Sequence, residues 1–209
     1  MTRLIAIVAS AVLVAALVAM WAAGVFSPAP QDRFAECRAG TVAGGTSAIG
    51  GPFELVNAQG ETVTDEDVIT EPSLLYFGYT FCPDVCPLDT ARNAEAVDLL
   101  EERGQMVTPV FISIDPERDT PEVVGDFAFN LHERMIGLTG SPEQVKAASQ
   151  AYRTYYRAHE AEEGDDFYLV DHSTFSYLVL PEHGFVEYFT RETTPEEMAD
   201  RVACFIETS

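Results

Sequence analysis

The chain has 209 residues, 47% hydrophobic and 22% charged, which suits one domain with an ordinary core and excludes a disordered or low-complexity chain. Lys and Arg total 12 against 34 Asp and Glu, a formal net charge of -22. Phosphate backbones need the opposite sign, so nucleic acid is excluded as a partner.

Residues 4–26 contain no charged side chain, and the interruptions are small residues. As a helix this stretch is roughly 35 Å long, enough for about 30 Å of hydrocarbon. Arg3 precedes it and Asp32 is the first acidic residue after it, so a signal anchor that exports the rest of the chain is expected. The alternatives are a cleaved signal peptide, whose apolar region normally runs about 7–15 residues, and a buried core helix. Residues 1–26 are therefore expected to form a transmembrane anchor, and residues 27–50, rich in Pro and Gly, a flexible linker. Residues 51–209 are expected to form one exported domain.

Phe53, Leu55 and Val56 followed by a turn at Asn57 to Gly60 predict a small hairpin. SLLYFGYT, residues 73–80, is a buried strand, and the spacing of Leu88, Ala91, Ala94, Leu99 and Leu100 predicts a helix over 88–103. Pro87 fits that helix's first turn and Gly104 its stop. VTPVFISI, residues 107–114, is the next strand, and Pro121 opens a helix to Phe129. A short strand at 135–138 precedes a helix capped by Ser141 and continued to Tyr156. HEAEEGDD, residues 159–166, is an acidic loop, followed by a brief strand at 167–170. Strands at 174–180 and 185–190 make a late hairpin around Pro181 and Gly184, and Thr194 and Pro195 start the last helix. This order predicts an α/β domain with a central mixed sheet flanked by helices and a late β-hairpin, thioredoxin-like in kind. No GxGxxG or phosphate loop is present, and Lys146 is the only lysine.

YFGYTFCPDVCPLD, residues 76–89, lies at a strand-to-helix transition. Cys82 and Cys86 are four apart, so a helical turn brings their sulfurs to one face, and a helix N-terminus favours thiolate. Such a pair binds a metal, closes a disulfide or alternates between the two; two inert buried cysteines are the bland alternative. A metal needs a further ligand. His183 sits in a polar turn, His159 borders the acidic loop and His132 stands at a helix end, whereas His172, in LVDHSTFSYLV, lies in a loop that returns to the cysteine end of the sheet. Two thiolates and one imidazole suit Cu(I), with Cu(II) adding weaker ligands; Zn(II) lacks an obvious fourth ligand.

These segments, YFGYTFCPDVCP, FISIDPERDTPE at 111–122 and FYLVDHSTFSYL at 167–178, closely resemble the SCO/SenC family of membrane-anchored copper proteins. The resemblance implies a thioredoxin-like fold and copper held by Cys82, Cys86 and His172. It also implies a part in assembling the dinuclear copper centre of cytochrome c oxidase subunit II, by delivering copper or by reducing the recipient cysteines. A copper donor and a thiol reductant are the further partners, and a copper-dependent sensor is a third reading. The location implied is a bacterial inner membrane with the domain in the periplasm, or, in a eukaryote, the mitochondrial inner membrane facing the intermembrane space. Asp84, between the cysteines, and Asp171, beside the histidine, are candidates to orient the ligands. Leu180 stands before Pro181 where the family pattern has an acidic residue. Cys37 and Cys204 lie outside the ligand motif, and a structural disulfide between them is expected; intermolecular exchange or two separate thiols are the alternatives.

Overall fold

The computed structural model describes residues 2–22, 32–40, 45–159 and 167–209. Two units are compact in themselves, Met1–Ala35 and Glu36–Ser209. In the first, helix α1 runs Thr2–Ala22. Among the described residues, no helix is long and apolar enough to cross a membrane. The expected span over residues 4–26 is helical through Ala22, and its remainder lies outside the described residues.

The second unit carries a seven-stranded sheet. Its strands are β1 (Glu54–Asn57), β2 (Thr62–Thr64), β3 (Ser73–Gly78), β4 (Thr108–Ser113), β5 (Ile136–Thr139), and, after a separate ribbon of β6 (Tyr156–Ala158) and β7 (Val170–His172), β8 (Ser176–Leu180) and β9 (Gly184–Phe189). The order across the sheet is β2-β1-β5-β4-β3-β8-β9. β3 pairs in parallel with β4, and β4 with β5, while β8 runs antiparallel to β3 and β1 to β5. Every residue of β3 and β4 is buried, as central parallel strands covered on both faces require. The sheet is mixed, the helices flank it, and the β8–β9 hairpin closes one edge: a thioredoxin-like fold.

A short helix, α2 (Asp65–Val68), precedes β3; the long helices are α3 (Val85–Glu102), α4 (Pro121–Leu131), α5 (Pro142–Ala151) and α6 (Pro195–Thr208). The last three open on one device. Thr120, Ser141 and Thr194 each accept a backbone N–H with the side chain, and each is followed by proline in the first turn. α4 lies so close to β5 that a Cβ on Gly137 would come 2.3 Å from the Val124 carbonyl oxygen. α3 packs against α6.

Two predicted elements shift. The helix expected to reach Tyr156 ends at Ala151, because Arg153 turns left-handed at φ 51 and releases the chain into β6. The brief strand expected at 167–170 is β7, two or three residues later, paired antiparallel with β6 through Tyr156 and His172. Part of the expected linker is attached to the domain. Cys37 is buried and bonded to Cys204 with Cα atoms 5.6 Å apart, Arg38 donates to the Val186 carbonyl at 3.1 Å, and the Gly50 N–H to that of Ala151 at 2.8 Å. The acidic loop, apart from His159, lies outside the described residues.

Candidate metal centre

The turn from β3 into α3 carries both cysteines. α3 differs from the other long helices in its start: Asp84 occupies the cap position, yet its side chain accepts no hydrogen bond there. The sulfur of Cys82 takes that place, accepting the Cys86 N–H at 3.3 Å. A helix N-terminus presents free N–H groups and positive potential, so an anionic sulfur suits the position. Cys82 and Cys86 are both free of disulfides. Cys82 keeps a rim of exposure at 8%, whereas Cys86 has none.

His172 ends β7 and reaches the pair from the far side. Its Nε2 lies 3.2 Å from the Cys86 sulfur, and its Nδ1 is 2.8 Å from the Ser173 carbonyl oxygen, which fixes the ring. Ligand atoms of Cys82, Cys86 and His172 all lie within 4.8 Å of one another. Tyr76 and Tyr79 wall the imidazole, their rings edge-on at 6.2 and 5.9 Å. Behind the sulfurs, Gly78 leaves the needed space: a Cβ there would sit 3.0 Å from the Cys86 sulfur. The Tyr76 hydroxyl donates to buried Asp89 at 3.0 Å, and Asp89 faces Arg92 and Arg191 at 3.5 and 3.4 Å.

The two sulfurs are electrostatically unlike. Donation from the Cys86 thiol, joined by His172 and the N–H groups of Asp84 and Cys86, lowers the Cys82 pKa to about 3 against the cost of burial. Burial pushes the Cys86 thiol far up, and the neighbouring Cys82 sulfur adds to the rise. The two shifts are opposite in direction, and both favour negative charge on Cys82 over Cys86. Two soft sulfurs and an imidazole nitrogen in a half-buried pocket fit Cu(I) by donor type.

The other predicted residues fall elsewhere. Asp171 points away from the imidazole and pairs with His159 at 2.9 Å. Asp84 is exposed and contributes its backbone N–H, not its carboxylate. His183 lies in the β8–β9 turn, at the opposite end of β8 from His172. His132 joins Asp98 and Glu101 in a second group of ligand-type atoms. That group fits a metal poorly: the His132 Nδ1 accepts the Arg134 N–H at 3.1 Å, so Nε2 carries the proton toward Asp98, and Glu101 is engaged by Arg134.

Sequence reasoning missed a cluster beside the cysteines. Asp119 is fully buried and accepts from the Thr80 N–H at 3.0 Å and from the Ser113 hydroxyl at 2.6 Å, which ties the cysteine loop to the end of β4. Burial raises its pKa. Arg118, next to it, stacks on Tyr168 and Phe81. The available signal was an arginine between two acidic residues, Glu117 and Asp119, in a chain with only 12 basic residues.

Comparison with known proteins places these residues in a family. Residues 42–207 match SCO1/SenC. Protein SenC of Rhodobacter capsulatus is 54% identical over 203 residues, covering 97% of this chain and 90% of SenC. The chain spans about half the length of two mitochondrial SCO1 homologs, 47% in Arabidopsis thaliana and 53% in Homo sapiens. The crystal structure of Arabidopsis thaliana ScoI with copper bound superposes with a TM-score of 0.71 at 42% identity, covering 77% of this chain and 99% of that one. BsSco, described as having a disulfide switch and as a member of the Sco family of cytochrome c oxidase assembly proteins, gives a TM-score of 0.57 at 25% identity over 76% of this chain and 94% of its own. With residues 42–207 matched by that family, 54% identity to SenC and the fold shared with ScoI, the chain belongs to the SCO1/SenC family.

Proposed function

We propose that this protein is a copper metallochaperone that assists assembly of the dinuclear copper centre in cytochrome c oxidase subunit II. The observation that carries this reading is the convergence of the Cys82, Cys86 and His172 ligand atoms within 4.8 Å. Copper is the cargo, supplied by a copper donor and passed on; Cu(I) suits the two sulfurs, and Cu(II) would add harder ligands. Cys82 is the thiolate that meets an incoming ion, and the Cys86 thiol gives up its proton on loading. His172 supplies the nitrogen, with Nδ1 held by Ser173.

A second reading, thiol–disulfide reduction of the recipient cysteines, is favoured by the Cys82 pKa near 3 beside a protonated Cys86. The Cys82 thiolate would attack the recipient disulfide and form a mixed disulfide, expelling one recipient thiolate. Cys86, losing its proton, would then displace the other, leaving a Cys82–Cys86 disulfide and passing two electrons to the recipient. A thiol reductant would restore the pair. The two readings part on His172, which only copper binding requires.

The anchor expected at residues 4–26 goes with this role, holding the domain on the outer face of a bacterial inner membrane. Fractionation of full-length protein should find it in the membrane with residues 53–209 open to external protease; a soluble chain beginning near Phe26 would refute the anchor. For the main reading, copper-loaded full-length protein is mixed with the reduced, copper-free copper domain of subunit II, and metal and thiols are followed in both. Copper transfer without recipient disulfide reduction is expected. Failure to bind copper together with reduction of an oxidised recipient would favour the reductase.

A further inference from the structure

Arg118 belongs to the loop after β4, outside both ligand-bearing segments, yet its guanidinium touches both. Nε donates to Asp115 at 2.5 Å, and a terminal nitrogen donates to the Tyr168 carbonyl at 2.9 Å. The guanidinium carbon stands 3.5 Å over the Tyr168 ring, 5.1 Å from that of Phe81 and 5.6 Å from that of Tyr79. The Tyr168 hydroxyl closes the circuit by donating to Asp115 at 2.6 Å, and the Tyr79 oxygen accepts the Val170 N–H at 3.3 Å. The other terminal nitrogen of Arg118 is buried with no hydrogen-bond partner among the described residues, so a hydrogen-bond inventory alone does not explain a guanidinium here.

Phe81 immediately precedes Cys82, and Tyr168 leads through Leu169 into β7, which ends at His172. β6 and β7 form a two-stranded ribbon separate from the main sheet, and a ribbon of that size is marginal by itself. The imidazole meets the Cys86 sulfur at 3.2 Å, a contact that a lift of a few ångströms would break. Stacking and charge-assisted hydrogen bonds from one planar group are suited to prevent that lift.

The geometry points to Arg118 as a positioning residue that holds the His172 ribbon against the cysteine loop, so that the nitrogen ligand depends on it and the thiol pair does not. This rests on the copper reading above. The test uses full-length reduced protein, anaerobic Cu(I), competition with a chromophoric Cu(I) chelator, and X-ray absorption to separate nitrogen from sulfur. Arg118→Met keeps the stem and removes the fork. It should weaken Cu(I) binding about 10- to 100-fold and remove the nitrogen contribution, while Cys82 and Cys86 still close their disulfide. Combined with His172→Ala it should bind no more weakly than His172→Ala alone, since both changes remove one interaction. In copper-free Arg118→Met, amide exchange at residues 170–173 should accelerate while α6 stays protected. Where Arg118→Met does not fold, Tyr168→Leu removes the other half of the stack and should give the same loss of nitrogen. Unchanged affinity and nitrogen ligation in a folded variant, or losses that add to those of His172→Ala, would overturn the inference. Copper binding indifferent to His172→Ala would instead refute the ligand set, and the amide-exchange comparison would still report on the tie.

Discussion

At the scale of single residues, the centre is a pair of cysteines made unequal by the helix start between them. With the Cys82 pKa lowered and that of Cys86 raised, Cu(I) loading is expected to release one proton. Between about pH 7 and 8.5 the logarithm of Cu(I) affinity should therefore rise by about one per pH unit. Two ordinary thiols would give a slope near two at the acid end that falls away beyond their pKa; chelator competition across that window distinguishes the cases. Gly78→Ala tests the packing behind the sulfurs. Its methyl would stand 2.9 Å from Tyr76, 3.0 Å from the Cys86 sulfur and 3.0 Å from Phe111, all of them buried. A loss of about 1–3 kcal/mol in urea unfolding is expected, with weaker copper loading. The three residues proposed as ligands stood out in the sequence because CxxxC is local and His172 lies just ahead of a strand. Asp171 pairs with His159, as strand geometry favours: in an extended strand neighbouring side chains face opposite ways, so the residue next to His172 is turned from it. Arg118 and Asp119 left little trace, because their partners lie far away in the chain and no periodicity marks such contacts.

At the scale of elements, α3 stands apart from α4, α5 and α6. Ser141→Ala removes a capping box and should cost about 1 kcal/mol in chemical denaturation. Asp84→Ala should stay within about 0.5 kcal/mol of the parent, since the carboxylate caps nothing and the sulfur of Cys82 does that work. A loss at Asp84 as large as at Ser141 would contradict this account of the helix start. The legible elements were those whose signal is internal: the apolar runs of β3 and β4, and the Thr-Pro and Ser-Pro openings of the later helices. β6 was hidden because Tyr152 and Tyr156 continue the apolar spacing of α5, and only the left-handed turn at Arg153 ends the helix. A strand of three residues paired to another of three offers too short an alternation to outweigh that pattern.

At the scale of the whole molecule, a formal charge of -22 works against compaction, because like charges repel more strongly in the folded state. Raising ionic strength from about 0.01 M to 0.15 M shortens the Debye length from about 30 Å to 8 Å and should raise the midpoint of thermal unfolding. A midpoint that falls or stays fixed would show that local ion pairs outweigh the net repulsion. The Cys37–Cys204 bond has a different kind of consequence, one of topology. It joins positions 167 apart in sequence, so the backbone between them and the bridge form a closed ring that holds every described strand and the candidate metal centre. A ring cut once is still one piece. A single protease cleavage in the acidic stretch after His159 should therefore release nothing: one band on a non-reducing gel, two after reduction, and both sides of the centre, the cysteines before the cut and the histidine after it, still covalently joined.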